Sequence, residues 1–407
     1  MFLFIVYTLL AITLYGIFYI LTRDTLNPIG LSLSAFTFAF AVGGLNVGAF
    51  EFNVSYKTHI AVLITIIEIT LVGWILLYTK QKTIQKKERC CVVVSPTFKQ
   101  IAILITIVSA LMIVYSIIKS KFDLYIYVNS NAFDKKSEID IYANIGPVRY
   151  IASVFPYTAL WMMYLILFDN KKKKVEIAFE ILAIIFACIY TWFVLISRGT
   201  FLIILLGMVF LINKKYRFSL KIFISALLGL VVLAGILLAL RLNIESVAFG
   251  GKSNAILNST YNYIASCFMN LDLLLREESP LTGICAVWVS LSKMLGIYDE
   301  TALINYTTII FNARGFLYYF YHDLGFVGII IYPTLIYLVI GWLYVGSRTD
   351  RPEYILMLAV LAKPIFVIWY SNYYFGIFSQ DFPYILTAFA LFLAYGKIKR
   401  VRLVWRH

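Results

Sequence analysis

Charged residues are scarce in this chain: they make up 14% of its 407 residues, whereas hydrophobic residues make up 62%. A soluble domain of this length cannot bury so much apolar surface, so the composition predicts a membrane protein. The segment Met1–Ile20 contains no charged residue at all. A secretory signal needs a basic start and a small-residue cleavage site, so we expect this segment to be a retained membrane span.

Histidine and cysteine are also rare, with three and five copies in the chain. No paired carboxylates accompany Glu51 in the first outer loop, and no metal site is evident, so we expect neither a metal nor another cofactor. The net charge of +14 has no soluble basic domain to carry it, so nucleic-acid binding is not supported. Cys267 and Cys285 share one loop and could form a disulfide, which spacing alone does not establish.

Apolar segments, in contrast, follow one another along most of the chain. A span of the hydrocarbon core needs about 20 such residues. We therefore predict an all-α polytopic membrane protein with about 11 transmembrane helices, within a range of about 10 to 12, and a single integral membrane domain over 1–407. The predicted spans are 1–20, 29–49, 59–79, 100–118, 150–168, 176–196, 200–213, 222–240, 326–346, 354–371 and 383–396.

The basic residues predict the orientation of these spans, because cytoplasmic connections of membrane proteins are enriched in lysine and arginine. With eleven spans, the clusters around Lys80–Arg89, Lys171–Lys174, Lys214–Lys221, Arg348 and Lys397–Arg406 all fall on one side. That side is then the cytoplasm, with the C-terminus inside and the N-terminus outside. Two sizeable connections fall outside, a smaller outer loop at 119–149 and a large one at 241–325.

The large outer loop contains two further apolar stretches. Ser259–Leu275 is expected to form an amphipathic helix on the membrane surface, with Asp272 and Arg276 one helical turn apart. Leu281–Ile297 is interrupted by two glycines and a lysine, so we interpret it as a re-entrant or interfacial helix rather than a span.

Five arginines lie on the predicted outer side, where arginine is normally depleted. Arginine stays charged and binds phosphate oxygens with a planar fork, so together they predict a site for the diphosphate of a membrane lipid. The alternative for each is a snorkelling side chain or a local acidic partner. Arg198 is the sharpest case, because a charge between two nearly continuous spans is costly without a partner or a water-filled cavity. The five are Arg149, Arg198, Arg241, Arg276 and Arg314.

A second polar group ends the large loop, directly before the span at 326–346. Histidine accepts a proton near neutral pH and a neighbouring carboxylate can share that role, so His322 and Asp323 are candidate catalytic residues, beside Arg198 and Arg314. Three tyrosines that precede them could stack on sugar rings, although aromatic belts at membrane interfaces are the commoner explanation. These are Tyr318, Tyr319 and Tyr321.

The residues assembled above resemble the O-antigen polymerases and the related O-antigen ligases, in which one large periplasmic loop falls late in a many-spanned chain. An arginine, three residues and then leucine match Arg198 and Leu202. An acidic residue before G-x-x-G matches Asp323, Gly325 and Gly328, and His322 falls where the ligases carry a histidine. These relatives usually keep both chain ends in the cytoplasm, whereas the span count here places the N-terminus outside.

The resemblance implies a GT-C-like bundle in the bacterial cytoplasmic membrane, with the active face periplasmic and short helices in the large loop. The implied reaction is metal-independent glycosyl transfer between undecaprenyl-diphosphate-linked oligosaccharides; the bilayer and a chain-length regulator are further partners that it allows. The arginines would stabilise the diphosphate, and His322 or Asp323 would orient or deprotonate the acceptor hydroxyl. The alternatives are an O-antigen ligase and a flippase or other transporter, although charges gathered at one boundary favour an enzyme.

Overall fold

The structure, a computed structural model, describes residues 1–45, 52–80, 94–119, 147–170, 172–191, 198–225, 229, 255–276, 281–297, 314–348, 352–367 and 378–395. Most of these residues are helical, and no strand occurs among them. The helices are α1 (Phe2–Thr22), α2 (Pro28–Gly43), α3 (Tyr56–Thr79), α4 (Pro96–Lys119), α5 (Val148–Phe168), α6 (Lys174–Ile189), α7 (Arg198–Tyr216), α8 (Ala255–Arg276), α9 (Val289–Met294), α10 (Phe316–Leu324), α11 (Phe326–Ser347), α12 (Pro352–Val360), α13 (Ala362–Phe366) and α14 (Phe378–Tyr395).

Six of these helices, α1, α3, α4, α5, α7 and α11, are long and apolar enough to cross a membrane. Helix α2 and the segment Phe382–Tyr395 are apolar but shorter. The chain is therefore an all-α, multi-pass membrane protein. The count of about eleven spans stays a prediction, since most of the predicted span 222–240 lies outside the described residues.

The predicted span 354–371 is not one continuous helix. Helix α12 ends at Val360 and α13 begins at Ala362. Proline removes a backbone donor and its ring clashes with the carbonyl four residues earlier, which for Pro364 is the carbonyl of Val360. The interruption thus falls beside the carbonyl that Pro364 leaves without a donor, although Pro156, Pro333 and Pro383 lie inside continuous helices.

The helices group into two compact units, and the single integral membrane domain stays a prediction. The first unit comprises Met1–Lys86, Phe218–Val345 and Pro364–Ile377. The second comprises Lys87–Arg217, Gly346–Lys363 and Phe378–His407.

Helices α1 and α2 form a hairpin at the start of the first unit. The side-chain oxygen of Asn27 accepts hydrogen bonds from the backbone N–H groups of Ile29 and Gly30, at 3.0 and 3.3 Å. An asparagine cap followed by proline at the first helical position is a strong helix start, so the turn before α2 follows from the local sequence. At the other end of the hairpin, the amino group of Met1 donates to the carbonyl of Gly44 over 3.2 Å.

The contacts at the two ends of the first unit agree with alternating spans. At one end, Tyr7 of α1 lies beside His59 of α3, with the Tyr7 hydroxyl 3.4 Å from His59 Nδ1. At the opposite end, the hydroxyl of Tyr344 donates to Asp24 over 3.1 Å, and Thr25 donates to the carbonyl of Phe218 over 3.3 Å. Residues 24, 218 and 344 thus share one end, as the predicted topology requires.

In the second unit, three segments that flank the basic clusters meet at one end. The ammonium of Lys99 pairs with Asp169 and Glu176 at 3.1 and 2.7 Å, which joins the start of α4 to the turn between α5 and α6. The backbone N–H of Ser95 donates to the hydroxyl of Tyr395 at the end of α14, over 3.2 Å. The predicted placement of these connections on one side is consistent with this arrangement.

The amphipathic helix expected at Ser259–Leu275 is the longer helix α8. Its predicted one-turn pair forms, with Arg276 Nε 2.7 Å from Asp272 Oδ2. The apolar face packs on protein, because the ring of Phe268 lies 5.8 Å from that of Phe36 and 5.0 Å from that of Phe40. Helix α8 is therefore docked on α2, and a membrane is not needed to cover that face.

The carboxylate of Asp272 also joins α8 to the start of α3. Its Oδ1 accepts from the backbone N–H and the hydroxyl of Ser55, at 2.7 and 2.5 Å, and from the hydroxyl of Thr58 at 2.6 Å. Ser55 stands at the N-cap position of α3. A carboxylate there satisfies free N-terminal groups and is favoured by the helix dipole.

Candidate functional site

The predicted site residues fall into both units. Arg149 and Arg198 belong to the second unit, whereas Arg276, Arg314, His322 and the other loop residues belong to the first. Arg241 lies outside the described residues. A meeting of Arg198 with the large loop stays a prediction.

Arg276 and Arg149 both contact neighbouring residues. Arg276 pairs with Asp272 and donates to the carbonyl of Asn53 over 2.8 Å. This arginine therefore has a local acidic partner, which was the alternative to diphosphate binding. Arg149 is exposed, lies 4.9 Å from the ring centroid of Tyr150 and donates to its hydroxyl over 2.8 Å. Neither contact points to a bound diphosphate.

Arg198 is the first residue of α7, and its neighbour Gly199 lies against a buried lysine. A Cβ atom on residue 199 would come within 3.1 Å of Lys363 Nζ. Glycine thus leaves space for an ammonium group beside the first turn of α7. Lys363, which is 8% exposed, therefore stands next to the arginine motif.

A chain of contacts links Arg314, which precedes α10, to two residues of that helix. The guanidinium carbon of Arg314 lies 5.2 Å from the ring centroid of Tyr318, and this ring lies 5.9 Å from the imidazole of His322. Tyr318 and His322 are four residues apart in α10 and lie on one helix face, whereas Arg314 reaches Tyr318 from the extended backbone before the helix. Tyr318 is only 2% exposed, and it serves here as a spacer between the two groups rather than as an open sugar platform.

The other two tyrosines are half-buried. Tyr319 packs edge-on against Tyr318, and Tyr321 packs edge-on against Phe326, with centroid distances of 5.7 and 5.5 Å.

Asp323 is fully buried, and both of its oxygens are occupied. Oδ1 accepts from the hydroxyl of Thr282 and from the backbone N–H of Ala286, each over 2.7 Å. Oδ2 accepts from the backbone N–H of Val287 over 2.9 Å, and the hydroxyl of Tyr332 is a fourth hydrogen-bond partner of the carboxylate. Asp323 therefore anchors the segment 282–287 and has little capacity left for a ligand.

Thr282 connects Asp323 to His322. Its hydroxyl donates to Asp323 and lies 3.0 Å from His322 Nδ1. A hydroxyl has one proton. With that proton directed to the carboxylate at 2.7 Å, which is nearer than the His322 carbonyl at 3.3 Å, the threonine oxygen accepts from Nδ1–H. The network thus assigns the proton of a neutral imidazole to Nδ1 and the lone pair to Nε2.

The Nε2 atom of His322 is buried and has no hydrogen-bond partner among the described residues. Burial lowers the pKa of His322, and the positive charge of Arg314 lowers it further. Both effects favour the neutral imidazole. Burial raises the pKa of Asp323, while its four donors oppose that shift.

The backbone conformation and the packing explain why glycine occupies both positions of the G-x-x-G motif. Gly325 ends α10 with a φ of 63°, a left-handed conformation that favours glycine. A Cβ atom on Gly328 would lie 2.0 Å from the carbonyl oxygen of Phe320. The motif thus permits the sharp turn that places α10 against the start of α11.

Several features differ from the sequence-based expectations or were missed by them. Cys267 and Cys285 are not joined, so the possible disulfide is not formed. Cys285 instead donates to the carbonyl of Ile297 over 3.3 Å. Thr282 was not predicted, because it precedes His322 by 40 residues and no local spacing links them. Within the described ranges, no group of three His, Cys, Asp or Glu residues is arranged to hold a metal ion.

No protein-family model matches the chain, and neither the curated proteins nor the solved structures contain a match to it.

Proposed function

We propose that this protein is an integral membrane glycosyltransferase. It would join lipid-diphosphate-linked oligosaccharide units at the membrane surface, as an O-antigen polymerase does. The observation that carries the proposal is the buried Nε2 of His322, which has no hydrogen-bond partner among the described residues, with the cationic Arg314 two contacts away through Tyr318. Such a pair suits a reaction in which one group loses a proton while another leaves as an anion.

In the proposed reaction, a hydroxyl oxygen of the acceptor sugar attacks the anomeric carbon of the donor. The bond from that carbon to the diphosphate oxygen breaks, and the lipid diphosphate leaves with the electron pair. The hydroxyl proton passes to Nε2 of His322. Arg314, whose guanidinium lies over the ring of Tyr318 just before α10, would stabilise the charge on the diphosphate.

Asp323 and Thr282 have positioning roles in this mechanism. The carboxylate orients the threonine proton, and the threonine oxygen orients the imidazole. We therefore assign the base function to His322 and not to Asp323. Arg198, Arg241 and Arg149 stay predicted diphosphate contacts, whereas the ion pair of Arg276 favours a structural role.

The test is complementation of a bacterial strain that lacks the gene for this protein, followed by gel analysis of the surface polysaccharide of that strain. Wild-type protein should restore a ladder of repeat units, whereas His322→Asn should leave only the single-repeat product. His59→Asn is a matched control, because His59 is also partly buried in the first unit but contacts Tyr7 instead. A full ladder with His322→Asn, at a normal protein level, would exclude the proposed base.

The same gel separates the nearest alternative. A ligase transfers finished polymer, so its loss removes all attached product rather than leaving single repeats.

A transporter is the second candidate, and one buried group favours it. Glu68 of α3 accepts a hydrogen bond from Thr334 of α11, and its other oxygen is buried with no partner among the described residues. Ionisable groups within spans often mark ion pathways. Translocation of lipid-linked units in proteoliposomes without growth of their glycan would support transport and exclude the polymerase.

A further inference from the structure

The segment that follows the anchored residues 282–287 exposes a run of apolar side chains. Trp288 is 37% exposed, and Met294, Leu295 and Ile297 are 78%, 55% and 52% exposed. They surround the six-residue helix α9, which is too short to cross a membrane. A run of large apolar side chains turned outward indicates an interaction surface.

Backbone hydrogen bonds hold this segment at the start of a spanning helix. Thr282 N–H donates to the carbonyl of His322, and Gly283 N–H donates to that of Asp323, each over 3.0 Å. Asp323 stands three residues before α11, whose first turn exposes Phe326 and Val327. The apolar run therefore begins at the point where α11 enters the bilayer.

A second contact makes this surface continuous with α11. Leu281 is 59% exposed, and its methyl groups lie 3.7 and 3.8 Å from the position that a Cβ atom of Gly325 would occupy. Gly325 directly precedes Phe326. The exposed apolar side chains of the loop thus adjoin those of the span.

The charge of the segment also fits a lipid surface. Lys293 is the one charged residue in the sequence 281–297, and it is exposed. Tryptophan and lysine beside apolar side chains are typical of segments at the boundary between headgroups and acyl chains. A protein partner with an acidic surface would be expected to meet more than one basic residue.

We propose that residues 288–297 insert into the headgroup and upper acyl region of the bilayer, at the end of α11. This inference does not require the proposed function. If the protein is the glycosyltransferase proposed above, the insertion holds His322 at the depth where a lipid-linked diphosphate meets the water phase.

Spin labelling tests the insertion without an activity assay. A nitroxide is attached to Met294→Cys, in full-length protein whose five native cysteines are replaced by alanine or serine, in phosphatidylcholine–phosphatidylglycerol nanodiscs. Collision with oxygen and with a water-soluble nickel chelate measures depth. A label at Leu71, an exposed residue of α3, marks the bilayer interior, and a soluble nitroxide marks water.

The proposal predicts that the label at residue 294 collides more with oxygen than with nickel, at a depth between the two references. Nickel accessibility equal to that of the soluble nitroxide would overturn it. Protection of the label from both oxygen and nickel would overturn the proposal as well. In that case, spectral broadening that grows with the number of protein copies per nanodisc would indicate that a second copy covers the segment. Protection without such broadening would indicate that the same chain covers it. Leu295→Cys replaces Met294→Cys if that variant does not fold.

Discussion

Replacement of Asp323 by alanine should release the segment 282–287 from α10. The substitution leaves the N–H groups of Ala286 and Val287 and the hydroxyl of Thr282 without their acceptor. Hydrogen bonds to a charged group contribute about 1.5–3 kcal/mol each, and their losses in one network are not fully additive. A decrease of about 2–4 kcal/mol in the free energy of local opening corresponds to amide exchange that is roughly 30- to 900-fold faster.

Hydrogen–deuterium exchange with mass spectrometry measures this effect on peptides that contain residues 286 and 287. Asp272→Ala is the matched control, because Asp272 is equally a buried carboxylate and accepts from the backbone N–H of Ser55. The control should accelerate exchange at Ser55 and leave 286–287 unchanged. Wild-type exchange rates at 286–287 in Asp323→Ala would refute the anchoring role.

Three further predictions concern the same region. Thr282→Val should shift the ring-nitrogen NMR signals of His322 toward a mixture of tautomers, and Thr282→Ser should restore the wild-type signals. Identical spectra in the wild type and both variants would contradict the hydrogen-bond network that joins Asp323 to His322 through Thr282. Gly328→Ala should lower the thermal stability in detergent by several degrees, because its Cβ meets the Phe320 carbonyl, whereas Gly16→Ala, which meets nothing within 4 Å, should not. Stability should fall as pH drops below about 6.5, because the unfolded His322 then binds a proton that the folded residue does not, and this dependence should be weaker in His322→Asn.

The helices could be predicted from the sequence because their signals are local. Hydrophobic runs placed ten of the predicted spans on described helices, six of which are long and apolar enough to cross a membrane. Within the described residues 352–367, the break before Pro364 was missed. The pairing of Asp272 with Arg276 was also visible from spacing. The role of Asp272 at the start of α3 was not, because it joins segments more than 200 residues apart.

The candidate site also has features that the local sequence predicts and features that depend on distant segments. His322 and Asp323 stand out in the sequence, and the i, i+4 spacing could have revealed the contact of Tyr318 with His322. The contact of Arg314 with Tyr318 could not be read from that spacing, because Arg314 precedes the helix. His322 has an acceptor nitrogen without a partner among the described residues, whereas Asp323 does not. This difference depends on Thr282 and on two backbone N–H groups from another segment. Only the folded chain distinguishes the anchoring carboxylate from the available imidazole.

Elongation of a lipid-linked oligosaccharide by purified protein tests the central claim most directly. Wild-type protein in nanodiscs, supplied with undecaprenyl-diphosphate-linked repeat units extracted from the deletion strain, should yield products that lengthen by whole repeats and release one lipid diphosphate per bond. His322→Asn should yield no such products, whereas His59→Asn should behave as wild type. Failure of the wild-type protein to lengthen the glycan, or full elongation by His322→Asn, would contradict the account.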